Sequence, residues 1–239
     1  MRSGGWVTAF VAGWLASFMV GAAATVMVTP AFVVAGTASG MAAAEVLLNT
    51  SLTSFETAPL LVLALGQTPM WAMQLATVGL ATTARGRSWR QDLGVAIRPM
   101  DLVIGAAGGL GAQLLIGLGY QLARVESDEP ARQLTSKGSG LAGFIALLVL
   151  LALLAPLVEE LLFRGLLQRG LAGYLPGWAS VAISSGVFAL VHFQVVQFPG
   201  LVVAGLVFGG LAQASGRLGP AIVAHVCFNA STVVVLALS

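Results

Sequence analysis

The chain is a series of long apolar runs divided by short polar punctuation. No charged residue lies between Arg2 and Glu45, and within that stretch residues 7–34 predict a first span. A second uncharged run covers 57–84, with Pro59 near its start and Pro69 inside it, which a membrane helix tolerates. Residues 102–123 make a third. A fourth helix begins near Ser139. Its uncharged run, 138–158, is 21 residues long, close to the ~20 that a bilayer core requires. That helix continues past Glu159 and Glu160 to about Gln168, with Arg169 at the inner face. Gly170, Gly173, Pro176 and Gly177 mark a turn, and a fifth helix follows over 178–193. Pro199 and Gly200 punctuate an outer turn before a sixth span ending near Ala214. Residues 215–220 form an inner turn, and 221–238 a seventh helix. No run alternates as a membrane β-strand would, and no repeat of 20–50 residues is present. The pattern therefore predicts an all-α, polytopic transmembrane bundle of about seven spans.

The punctuation sets the topology. Arg85, Arg87, Arg90 and Arg98 crowd one short loop with Asp92, which the positive-inside rule places in the cytoplasm. Two crossings earlier, the N-terminus with Arg2 falls on the same side, and seven spans put the C-terminus outside. Residues 35–56 read as a loop with a short interfacial helix, and the mixed-charge stretch 124–138 as an outer loop. A cleaved signal peptide has an apolar core of only 7–15 residues, so the first run is expected to stay as a span. In the third span Gly105, Gly108, Gly109, Gly111, Gly117 and Gly119 recur at spacings that let helices approach closely, so packing is their expected role.

Composition sharpens the class. The chain is 58% hydrophobic and 8% charged, against about 25% charged in soluble domains. A net charge of +2 excludes nucleic acid as a partner. The one cysteine, Cys227, excludes an intrachain disulfide. Ten arginines against one lysine, with abundant Ala, Gly and Val, associate with a GC-rich bacterial genome and hence with a bacterial inner membrane.

Against this background the candidate chemistry stands out. Carboxylates inside a span are costly, so Glu159 and Glu160 are a functional hypothesis; the bland alternative is a pair at the headgroups marking a helix end. Residues four apart share a helix face, so Glu160 stacks with Arg164, while Glu159 is turned away by ~100° with no local partner. The only two histidines, His192 and His225, both lie in apolar helices. Phe188 precedes His192 by four residues, and Asn229 follows His225 by four on the same face. Depth is the difficulty: at ~1.5 Å per residue His225 lies about 10 Å beyond the inner turn, and His192 about 20 Å beyond Trp178. A helix tilt, or an oblique segment after Glu160, would reconcile them. Two chemistries fit. Glu159 could act as general base on a water, with the histidines positioning it and Asn229 holding the oxyanion. Alternatively Glu159, His192 and His225 could ligate Zn²⁺ with one open position, although no His-Glu-x-x-His motif is present.

Glu159-Glu160-x-x-x-Arg164, Phe188-x-x-x-His192 and His225-x-x-x-Asn229 resemble, in order, the three motifs of the CPBP intramembrane proteases. That family includes type II CAAX prenyl proteases and many bacterial Abi or bacteriocin-immunity proteins. The resemblance covers about residues 139–239 as a core domain, and residues 1–138 hold N-terminal helices without a recognised motif. It implies an intramembrane endopeptidase with an active-site cavity built from the four C-terminal helices. It implies Glu159 as the catalytic glutamate, completed by His192, His225 and Asn229 and supported by Glu160, Arg164 and Phe188. The expected partners are a peptide or protein substrate and the bilayer. The alternative is a non-proteolytic immunity or scaffold protein that binds peptides in the same cavity.

Overall fold

A computed structural model describes residues 4–38, 60–83, 89–125 and 140–238. Among them there is no strand. Helix α1 is Gly4–Ala38, α2 Leu60–Thr83, and α3 a single turn, Trp89–Asp92. Helix α4 is Pro99–Ala123, α6 Gly177–Leu190, α7 Phe198–Ser215 and α8 Gly219–Leu238. Between α4 and α6 runs one continuous rod, α5, built from five successive pieces: Gly140–Leu147, a π-helical Leu148–Leu154, Ala155–Glu160, a second π-helical Leu161–Gln168, and Arg169–Leu171. By length and composition Gly5–Ala24, Pro99–Ala123, Leu141–Leu171 and Phe198–Ser215 could each cross a membrane, and the apolar helices Gly177–Leu190 and Gly219–Val235 are shorter. Among the described residues the seven helices of 14 residues or more fall where the seven spans were expected, and four of them hold a stretch long and apolar enough to cross a membrane. Helix α1 runs to Ala38, into the loop expected over 35–56, and the rest of that loop with its interfacial helix, like most of the outer loop 124–138, lies outside the described residues.

Each end of the bundle is identified by its polar contacts. At one end, the Arg217 guanidinium grips both oxygens of the Asp101 carboxylate, Nη2 to Oδ1 at 2.9 Å. Asp101 also accepts the Arg98 N–H at 2.8 Å, capping α4. Arg169 donates to the Gly216 carbonyl at 2.7 Å. Gly94 accepts the Leu218 N–H at 3.0 Å from a backbone with φ +67°, where a side chain would be strained and would press on Arg169 and Gly216. At the other end, the Tyr120 hydroxyl donates to the Val196 carbonyl at 2.9 Å and accepts the Gly200 N–H at 3.2 Å. These contacts put the Arg98, Arg169 and Arg217 turns on one side and the turn before α7 on the other, as the loop pattern predicts.

Helix α5 is the axis. Leu162, Phe163 and Leu166 are buried in a core shared with Trp6 and Phe10 of α1, Phe188 of α6, Phe208 of α7 and Ala224 of α8. The glycines of α4 divide into two sets. A Cβ at Gly105 or Gly109 would overlap α8, at Gly109 the Ala224 carbonyl itself, and one at Gly108 would press on Leu211 of α7. Gly111, Gly117 and Gly119 face open space. The first set lets α4 seat against the helix that carries His225.

Candidate active site

Glu160 leaves α5 at the junction of its straight and π-helical pieces and is fully buried. A bare carboxylate there would be prohibitive, and two groups hold it. The Arg164 guanidinium lies 3.1 Å from Oε1, which realises the four-residue pairing read from the sequence. From α8, the His225 Nδ1–H donates to the same oxygen at 2.9 Å. This second partner was not evident from spacing, since it crosses from one helix to another.

Arg164 is itself enclosed. It donates to the Gly205 carbonyl of α7 at 3.1 Å, and its guanidinium carbon lies 4.7 Å from the Phe188 ring centre and 5.7 Å from that of Phe208. The His225 ring stacks on Phe208 with centres 4.6 Å apart and planes 21° apart. Phe208 is thus a wall of the site that carries no motif signal. Gln168, one turn beyond Arg164, continues the polar row and donates to the Gly209 carbonyl at 3.0 Å. The 160, 164, 168 spacing was a usable sign of it.

With Nδ1 committed to Glu160, His225 turns Nε2 toward Glu159, whose Oε2 stands 3.7 Å away. Glu159 is the less enclosed of the two acids, its side chain 23% exposed. The four groups form one chain, Glu159, His225, Glu160, Arg164. His192 is placed differently. Its Nδ1–H donates to the Phe188 carbonyl at 2.6 Å, which folds the ring back one turn onto Phe188, centres 4.7 Å apart. Phe188 in turn meets His225 edge-on at 5.7 Å. Through Phe188 the two imidazoles are linked by ring contacts. Asn229 donates to the Leu151 carbonyl of α5 at 2.8 Å.

Among the described residues no group of three or more His, Cys, Asp or Glu side chains is arranged to hold a metal ion. Glu159, His192 and His225 form no such group in this geometry. Both imidazoles have Nδ1 anchored by an acceptor, and each meets the Phe188 ring.

Fold and site together define a polytopic helical membrane protein with a buried glutamate–histidine–arginine centre. Residues 141–231, which contain all of that centre, match the family described as type II CAAX prenyl endopeptidase Rce1-like, and this supports the CPBP family for the chain. No curated protein and no solved structure matches it.

Proposed function

We propose that the chain is an intramembrane endopeptidase in which Glu159 takes a proton from the water that attacks a peptide bond. The observation that carries this reading is His225 placed between two glutamates, hydrogen-bonded to one and 3.7 Å from the other. An ionised Glu159 facing the lone pair of a neutral His225 would be repulsive. One proton held by that pair removes the repulsion. With Glu160 negative and Arg164 positive, the whole cluster then has no net charge, the condition for keeping it inside a span.

The steps follow from this placement. A water hydrogen-bonded to Glu159 gives its proton to the carboxylate as its oxygen bonds to the scissile carbonyl carbon. His192, donating through Nδ1, has Nε2 as an acceptor for the second hydrogen of that water. The carbonyl oxygen becomes an oxyanion, and a protonated His225, oriented by Glu160, supplies Nε2–H and positive charge to it. Glu159 then passes its proton to the leaving nitrogen as the C–N bond breaks, giving a carboxylic acid and an amine. Substrates are peptides or proteins at the membrane. The arginine-rich end faces the cytoplasm of a bacterial inner membrane by the positive-inside rule.

The test is turnover of a peptide library by purified protein in lipid nanodiscs. Glu159→Gln keeps the shape but cannot accept the proton, so turnover should fall by about 10²–10⁴-fold while peptide binding stays near wild type. EDTA should leave wild-type turnover unchanged. Retained turnover in Glu159→Gln overturns the general base, and activity restored only by Zn²⁺ would bring back the metal reading. A wild type that binds peptides and cleaves none would point to the immunity or scaffold role.

A further inference from the structure

The bond between Asn229 and Leu151 has a cause in the backbone of α5. Over Leu148–Leu154 the helix is wound in the π register, and at its end the Ala155 N–H reaches back five residues to the Leu150 carbonyl. In that register the next donor, due at the Leu151 carbonyl, belongs to residue 156. Residue 156 is proline and has no N–H. A lone carbonyl inside a bilayer is costly, because no water reaches it. The side-chain amide of Asn229, 2.8 Å away, takes the place of the missing donor. Asn229 and His225 lie four residues apart on α8 and meet α5 on either side of Pro156, Asn229 before it and His225 after it at Glu159 and Glu160. Pro156 opens the short straight piece that ends in the two acids, and a change of register there rotates everything that follows.

We infer that Asn229 is a positioning residue that supplies the hydrogen-bond donor Pro156 lacks, and so fixes the winding of α5 that aims Glu159 at His225. Its consequence for turnover rests on the endopeptidase reading above. This role differs from the oxyanion contact that the sequence pattern offers for Asn229. The two make opposite statements about Pro156. A residue that replaces a missing N–H becomes dispensable once the N–H is restored. A residue that binds an oxyanion does not.

The experiment is a double-mutant cycle on the full chain in nanodiscs, reading both melting temperature and steady-state kinetics for Asn229→Ala, Pro156→Ala and the double variant. Asn229→Ala should lower kcat at least tenfold with KM changed less than threefold, and should lower the melting temperature. Pro156→Ala alone should fold and stay within about threefold of wild-type kcat, since the new N–H only competes with an amide already in place. The double variant should recover melting temperature and kcat to near those of Pro156→Ala. Asn229→Leu, close in size and with no donor, should behave as Asn229→Ala and be rescued in the same way. Equal loss of kcat with and without Pro156 overturns the inference, as does a Pro156→Ala variant that fails to fold. The melting temperatures alone decide the Asn229–Pro156 coupling. If the wild type cleaves nothing, recovery of stability in the double variant still supports the coupling while the endopeptidase reading fails.

Discussion

Arg164 offers the most direct test of how the site is held together. The side chain is buried at mid-bundle, 1% exposed, and touches Glu160 on its own helix and two other helices, through Gly205 and Phe208 on α7 and Phe188 on α6. Arg164→Ala leaves the Glu160 carboxylate buried with His225 as its remaining partner. Breaking a buried ion pair from one side costs about 3–5 kcal/mol, and a desolvated cation–aromatic contact adds up to about 2 kcal/mol. The upper figures do not simply add, because His225 can take up part of the charge, so a loss of roughly 4 kcal/mol is expected. For a chain of this size each kcal/mol moves the melting temperature by about 2–4 °C, so the shift should be roughly 8–16 °C. Cys227, partly buried in α8, is the chain's single cysteine, so a thiol-reactive dye reads unfolding without an introduced cysteine. The companion variant, Glu160→Gln with Arg164→Met, strands no charge and should recover at least half of the lost stability. It should not recover turnover, because His225 loses the carboxylate that orients its ring. A melting temperature within about 2 °C of wild type for Arg164→Ala, with turnover abolished, would refute the structural role and make Arg164 a group that acts on the substrate.

Two further outcomes follow from the packing. Gly109→Ala places a Cβ on the Ala224 carbonyl, one residue before His225, and should cost about 1–3 kcal/mol by forced overpacking, whereas Gly111→Ala meets nothing and should be neutral or stabilising by up to about 1 kcal/mol; paired thermal melts separate them. The Asp101 hydrogen bonds hold the Arg217 guanidinium above its ordinary pKa, so Asp101→Asn should lower the melting temperature at low salt, and the deficit should shrink as salt is added; a deficit independent of salt would mean that the α4 cap, not the ion pair, is what matters.

The helices were legible because length and absence of charge suffice to identify them. The third span, expected over 102–123, is Pro99–Ala123, and the fifth, expected to end near Phe193, stops at Leu190 because residues 191–197 turn back toward α7. The pairing of Glu160 with Arg164 was legible because it depends only on helix geometry. The winding of α5 was not. From 141 to 158 the sequence is apolar at almost every position, so periodicity carries no phase, and Pro156 by itself did not specify a change of register. The partners of α5 were also hidden. The place of His225 beside both glutamates depends on how α8 packs, which α4 decides through Gly105 and Gly109. The short α3, followed by Leu93 packed against Gly165 and Leu218, gave no signal in a loop read only for its arginines.

Apolar surfaces in lipid resist sliding only weakly, since a helix moved by one turn still meets lipid-like side chains. Between α5 and α7 the register is set instead by polar groups. Arg164 donates to Gly205 and, four residues on, Gln168 donates to Gly209, so the two helices run in the same direction with matched steps. Glycine is required at both carbonyls for a steric reason: a Cβ at 205 would sit 2.9 Å from Ser185, and one at 209 would sit 2.8 Å from the Gln168 carboxamide oxygen. Sliding α7 by one turn would leave either Arg164 or Gln168 without its acceptor, and a buried unpaired donor costs about 1–3 kcal/mol, more for a charged one. The slide would also carry Phe208 away from both Arg164 and His225, opening the face against which the imidazole is stacked. The row Glu160, Arg164, Gln168 therefore fixes the α7 register and, through Phe208, supports the ring that faces Glu159.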